Sequence, residues 1–251
     1  MFSLPYPAPL NLVLGTLLGL DLLFLCGGLI LGRPDQTGAG RLALPLRMSL
    51  SAFLVVAALI QWRGVTPGTA LAAYAGRILV GMALGFVGDL VMARLIRTPE
   101  PLISGMVCFG LGHLAYILAF AGLSAALPQG AIWADLAAGA VLAVAALALW
   151  ARFVRKPGGS GVLSFGALVY SLLLAAMNAG AIALATREAR FVPLVLGTLL
   201  FLLSDLVLGN WRIRGHAWRG VNDVVWVSYN LGQMLIVFSV ATAAGVVVGS
   251  L

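Results

Sequence analysis

Residues 71–93 read LAAYAGRILVGMALGFVGDLVMA, and Arg77 and Asp89 are the only charged side chains among them. A helix that crosses a bilayer takes about 20 mostly apolar residues. The stretch meets that demand. Seven more segments of the same kind surround it, giving spans at 9–32, 42–61, 71–93, 102–122, 131–150, 161–185, 191–209 and 222–248. Clusters of Gly, Pro and charge separate them, such as Arg33-Pro34-Asp35, Thr66-Pro67-Gly68 and Pro128-Gln129-Gly130. The sequence therefore predicts an all-α fold, a polytopic membrane bundle of about eight transmembrane helices.

Composition agrees. The chain is 62% hydrophobic and 9% charged, with a mean hydropathy of +1.07. Soluble domains carry roughly 25% charged residues. Eight spans and short loops use up all 251 residues, so 1–251 reads as one transmembrane domain. Any chemistry has to sit among the helices or at their ends. The opening MFSLPYPAPL lacks a basic n-region, so no cleaved signal peptide is expected.

The net charge is +7. In a bundle this reflects basic residues flanking spans rather than a nucleic-acid partner. Arg33, Arg41, Arg94, Arg97, Arg152, Arg155, Lys156, Arg212, Arg214 and Arg219 lie in odd-numbered loops; Arg63, Arg187 and Arg190 lie on the other side. That asymmetry puts the odd loops in the cytoplasm and both termini outside. Trp62, Trp133, Trp150, Trp211 and Trp226 fall at span ends, where aromatic belts are expected. Cys26 and Cys108 sit in apolar runs with no disulfide or metal-ligand spacing.

A short echo divides the chain. Phe86-Val87-Gly88-Asp89-Leu90-Val91-Met92 returns 116 residues later as Leu202-Leu203-Ser204-Asp205-Leu206-Val207-Leu208. Each copy ends the third span of four, so a repeat of this kind would give two parallel four-helix halves, 1–125 and 126–251.

Ionisable groups inside spans are costly, and each is a candidate for function. They are Asp21, Arg47, Arg77, Asp89, His113 and Asp205, joined by the uncharged Asn178, Asn230 and Gln233. Asp89 and Asp205 lead, because they occupy matching contexts near the ends of two helices. The structural alternative pairs Asp89 with Arg94 and Asp205 with Arg212. Phe109, His113, Tyr116 and Phe120 share one face of the fourth helix, and Trp226, Tyr229, Gln233 and Val237 form a similar stripe in the eighth. Asp21, halfway along the first helix, either completes the polar cluster or neutralises Arg47 or Arg77. Glu100, Asp135, Glu188 and Asp223 read as caps or solvated charges. Two histidines, one of them in a loop, and no Glu within a span offer no metal site. No serine-hydrolase elbow, phosphate loop or dinucleotide fingerprint occurs.

Phe86 to Met92 followed by Ser104-Gly105, Phe109, Gly112-His113, Tyr116 and Phe120 resembles the first half of the YhhN family. Phe201-Leu202-Leu203-Ser204-Asp205 with Tyr229 and Gln233 resembles its second half. These are lysoplasmalogenase-like membrane proteins, and the resemblance covers most of the chain. One departure is visible. The family pattern carries Lys-Pro at the start of the second span, where this chain has Leu46-Arg47-Met48.

The resemblance implies a cofactor-free integral membrane hydrolase, housed in the bacterial cytoplasmic membrane. It would cleave the vinyl-ether bond of lysoplasmalogens to a fatty aldehyde and glycerophospho-ethanolamine or glycerophospho-choline. Asp89 and Asp205 would be catalytic. His113, Tyr116, Ser204, Tyr229, Gln233 and Asp21 would position substrate and water, and Arg47 or Arg94 would bind the lipid phosphate. Vinyl ethers hydrolyse through protonation of carbon and water capture of an oxocarbenium ion. Two carboxyl groups in unequal surroundings can divide such work. The competing reading is a lipid-binding protein or a proton-coupled carrier, since both also bury carboxylates in halved bundles.

Overall fold

The order of helices follows from where apolar runs stop and prolines or hydroxyl caps begin. The computed structural model describes residues 5–128 and 130–248. The first four residues of the opening segment and Gln129 of the fourth loop lie outside the described residues. Helix α1 spans Ala8–Leu31, α2 Leu44–Arg63, α3 Ala70–Met92, α4 Pro101–Ala126, α5 Ile132–Leu149, α6 Gly161–Arg187, α7 Val192–Arg212 and α8 Val221–Val248. Prolines stand in the first turns of α1, α2, α4 and α7, where a missing N–H costs nothing. Thr69 and Ser160 cap α3 and α6 by accepting from the Ala72 and Leu163 amides.

All eight helices are long and apolar enough to cross a membrane, and the described residues form no strand. The chain is therefore a multi-pass helical membrane protein. The expected bounds hold to within three residues, with two larger differences. Helix α4 runs four residues past its expected end, because nothing before Leu127 breaks it. Helix α5 continues into a π-helical turn, Trp150–Val154.

Helix α3 packs along α4 and α7 along α8, and these two pairs are the closest in the bundle. Small residues permit the approach, as lipid-embedded helices require. A Cβ on Gly112 would stand 3.0 Å from the Gly81 carbonyl oxygen. One on Gly232 would stand 2.8 Å from the Gly197 carbonyl oxygen and 2.9 Å from the Phe201 nitrogen. Gly81 and Gly197 are 116 residues apart, the spacing that also separates the two aspartates. Across the middle, α4 packs on α6 and α8 packs on α2 and α3. Helix α8 is buried along most of its length, whereas α5 packs chiefly on α6.

Mid-membrane polarity is resolved by pairing. Asp21 is fully buried and accepts from Asn230 Nδ2, tying α1 to α8. It neutralises neither Arg47 nor Arg77; Arg77 donates instead to the Leu118 carbonyl. Replacing Asp21 with Leu is expected to lower thermal stability in detergent by about 1–3 kcal/mol, because it strands the buried Asn230 amide. Asp21→Asn, which can still accept that bond, should cost less.

The readings of two acidic side chains as solvated charges or caps are corrected. Asp223 is buried at the start of α8, where its carboxylate takes the Arg41 amide at 2.7 Å and the Arg41 guanidinium at 3.1 Å. Asp135 pairs with Arg187 at 2.6 Å. Glu188 keeps its reading as a cap: it accepts from the Arg190 amide at 3.1 Å and also pairs with the Arg190 guanidinium at 3.0 Å. Trp226 is corrected too. It is buried inside the bundle rather than set in an interfacial belt.

Candidate active site

Asp89 and Asp205 lie toward the C-terminal ends of α3 and α7, at the end of the bundle that carries the odd-numbered loops. They line one cavity of about 420 Å³. Asp89 Oδ2 accepts from Ser51 Oγ at 2.6 Å and from the Tyr229 hydroxyl at 2.9 Å. Asp205 Oδ2 accepts from the Tyr170 hydroxyl. Because that proton points at Asp205, the Tyr170 oxygen is free to accept from His113 Nε2, 2.9 Å away. His113 Nε2 itself stands 3.9 Å from the Asp205 carboxylate.

The arrangement draws on helices far apart in the sequence. Asp89 on α3 is held from α2 and α8. Asp205 on α7 is held from α6 and, through Tyr170, from α4. Neither aspartate forms an ion pair with an arginine among the described residues, so the alternative of Asp89–Arg94 and Asp205–Arg212 pairs is not what the chain adopts. Hydroxyl donors leave each carboxyl group one oxygen with which to face the cavity. An arginine clamp would occupy both.

Cations gather at the mouth. Arg47 lies over the Trp226 ring at 5.5 Å and lines the cavity together with Arg94 and Arg212. The first loop forms one rim, with Asp35, Thr37 and Ala39 facing in. It is hooked to α8 by Gly220 N–H to Gly38 O, by Asn222 N–H to Ala39 O and by the Arg41–Asp223 pair. The Thr37 hydroxyl, with backbone amides behind it, holds the Asp35 carboxyl below the usual carboxylate range, so this rim keeps its charge near neutral pH.

Arg94 has φ of +60° directly after α3, a position that favours glycine. The Leu95 amide reaches back to the Leu90 carbonyl there and closes the helix end. An arginine held in that conformation costs of order 1 kcal/mol, and such strain tends to collect where a side chain is used. Arg94→Gly is therefore expected to leave thermal stability equal or slightly higher while weakening capture of an anionic ligand. A detergent melting curve beside a KM measurement would check both halves of that expectation.

Of the predicted site residues, Asp89, Asp205, Ser204, Tyr229, Arg47 and Arg94 line the cavity. Ser204 donates to the Val225 carbonyl, so its hydroxyl proton is spent on packing α7 against α8. His113 lies behind Tyr170. Tyr116 donates to Gln233 Oε1 at 2.8 Å in a deeper layer. Gly85 leaves room for the ends of Gln233 and Tyr229, since a Cβ there would meet them at 3.2 and 3.4 Å. Asp21 stands apart, on α1, and does not line the cavity. Phe109, Phe201 and Tyr229 form an edge-to-face aromatic wall, with centroids 5.3–6.4 Å apart.

Three contributors escaped the sequence reading: Ser51, Tyr170 and Trp226 as a platform for Arg47. Ser51 was visible in principle. It lies one turn after Arg47, on the same face of α2. Tyr170 carried no comparable signal, because only the fold brings α6 against Asp205. Tyr170→Phe removes a hydrogen bond to a carboxyl group, an interaction worth roughly 1.5–3 kcal/mol if charged. We expect kcat to fall about ten- to a hundredfold, with folded yield unchanged.

Fold and site together define a class: a helical membrane protein with two carboxyl groups, drawn from different parts of the chain, lining one cation-rimmed cavity within its bilayer-spanning region. The chain belongs to the YhhN family, whose family model matches residues 42–240. That stretch holds the whole cavity apart from part of the first loop, and leaves out α1 with Asp21. No curated protein and no solved structure matches the chain.

Proposed function

We propose that this protein is a membrane hydrolase that cleaves the vinyl-ether bond of lysoplasmalogens, releasing a fatty aldehyde and a glycerophospho-ethanolamine or glycerophospho-choline. The observation that supports this most is the sharing of one cavity by Asp89 and Asp205, each held by hydroxyl groups and neither clamped by arginine. One carboxyl group gives its proton to the alkenyl carbon remote from oxygen, and positive charge develops on the carbon bonded to oxygen. The other carboxylate stabilises that cation and takes a proton from the water that attacks it. The resulting hemiacetal collapses to aldehyde and free glycerol hydroxyl, and one water is consumed. Arg47, Arg94 and Arg212 at the mouth suit a phosphate diester. The family's cation at the start of the second span is kept as Arg47.

The experiment is to incubate purified protein in detergent with lysoplasmenyl lipid and, separately, with its saturated alkyl-ether counterpart, and to measure free aldehyde. Aldehyde from the first alone is expected, because only a vinyl ether can form the cation by protonation. Aldehyde from neither would favour a carrier or lipid-binding role for the same cavity.

A further inference from the structure

Beside Asp205 a second space adjoins the cavity. A narrower apolar crevice begins at Asp205, Met92, Phe109 and Leu208, which line both spaces. It runs between α4, α6, α7 and the end of α5, past Ala167 and Gly209 to Trp150. Its origin is the position of α5. That helix packs along α6 and reaches α7 only through its π-helical turn, so a gap is left where α5 stands away from α7. The Trp150 indole N–H donates to the Ser164 carbonyl at 3.2 Å and fixes the turn to the start of α6. Ser171, the one lining hydroxyl beyond Tyr170, is satisfied by the Ala167 carbonyl at 2.8 Å. Water in the crevice would find almost no partners, so hydrocarbon is the matching occupant.

The polarity of the combined space is directional. Arginines and Asp89 line the larger cavity, Asp205 stands at the junction and apolar side chains line the crevice beyond. A lipid with one phosphate and one chain presents the same order. We infer that the crevice between α4, α5, α6 and α7 is the binding site for the hydrocarbon chain of a single-chain phospholipid, with the chain's first carbons at Asp205. Met92 and Met106, unbranched and adaptable, let the walls part as the chain enters. Met106 also lines a groove on the outer face of α4 and α6, where Val107, Leu111, Val162 and Phe165 are exposed, and this gives the chain a sideways route from the bilayer. The inference deepens the hydrolase reading in placing the chain's first carbons at a reacting carboxyl group. Occupancy of the crevice can be read without turnover.

The test is photolabelling in nanodiscs with a saturated alkyl-ether lysophosphatidylcholine that carries a diazirine at its chain end. Label is expected on crevice residues of α4, α5 and α7, suppressed by excess unlabelled alkyl-ether lysolipid. Gly209→Leu fills the crevice beside Val154, since even a Cβ there would lie 3.2 Å from the Val154 side chain. It should reduce that labelling about tenfold. Ala167→Phe, obstructing from α6, is the second variant, and both are scored only on protein that melts cooperatively. Label confined to outward-facing residues such as Val141 and Leu136, or crevice labelling that Gly209→Leu leaves unchanged, would overturn the inference. Crevice labelling by a protein that releases no aldehyde would sink the hydrolase reading alone. Aldehyde release without crevice labelling would sink the chain site alone.

Discussion

Asp89→Asn and Asp205→Asn should each reduce aldehyde release from lysoplasmenyl lipid by about a hundred- to ten-thousandfold, the range for loss of a positioned acid or base. The substitution suits the test because it preserves shape. The amide oxygen of an Asn at 89 can still accept from Ser51 and Tyr229, and that of an Asn at 205 from Tyr170. Folded yield and melting temperature should therefore stay near those of the parent, and lost activity would report on chemistry. The alternative arrangement, with each aspartate neutralising an arginine, predicts the reverse: reduced stability and no specific effect on turnover. Full activity in either variant would remove that residue from the mechanism.

The largest effect on folding is expected from Gly232→Val. The added carbons would press on the Gly197 carbonyl at 2.8 Å and the Phe201 amide at 2.9 Å. Both are backbone atoms of a helix and cannot swing aside. Overpacking of this kind costs about 3 kcal/mol or more when no side chain can yield. The variant should splay α7 from α8 and displace Asp205 along with Phe201. Recovery of folded protein from detergent is the measurement, and near-normal recovery would contradict the crossing. Gly19→Ala is the contrast. A Cβ at Gly19, inside α1, meets nothing within 4 Å, so its stability should be equal or slightly higher.

Much of this was legible in the sequence. Eight apolar runs with proline and glycine between them gave eight helices, because a lipid-facing backbone has no other way to satisfy itself. The two aspartates stood out because charge is rare in such runs and because one local pattern contains both. What the sequence could not supply was the partner of each polar group. Asp21 was as compatible with an arginine as with Asn230, and only the fold, which sets Asn230 of α8 against it, decides between them. Trp226 resembled an interfacial tryptophan, since its place near a helix end is the same whether the ring faces lipid or Arg47. Tyr170 became visible only once α6 was set against α7. The recurrence of the 116-residue spacing at Gly81 and Gly197 supports, as a proposal, an ancestral duplication into halves 1–125 and 126–251.

The most direct measurement joins the two aspartates physically. In a chain with Cys26 and Cys108 replaced by Ser, Asp89→Cys and Asp205→Cys are introduced together and treated with a short bis-maleimide, with and without alkyl-ether lysophosphatidylcholine. A single cross-linked product that the lysolipid suppresses is the predicted result. Two thiols that each react singly, with no bridge and no protection by lipid, would contradict a shared lipid-binding cavity.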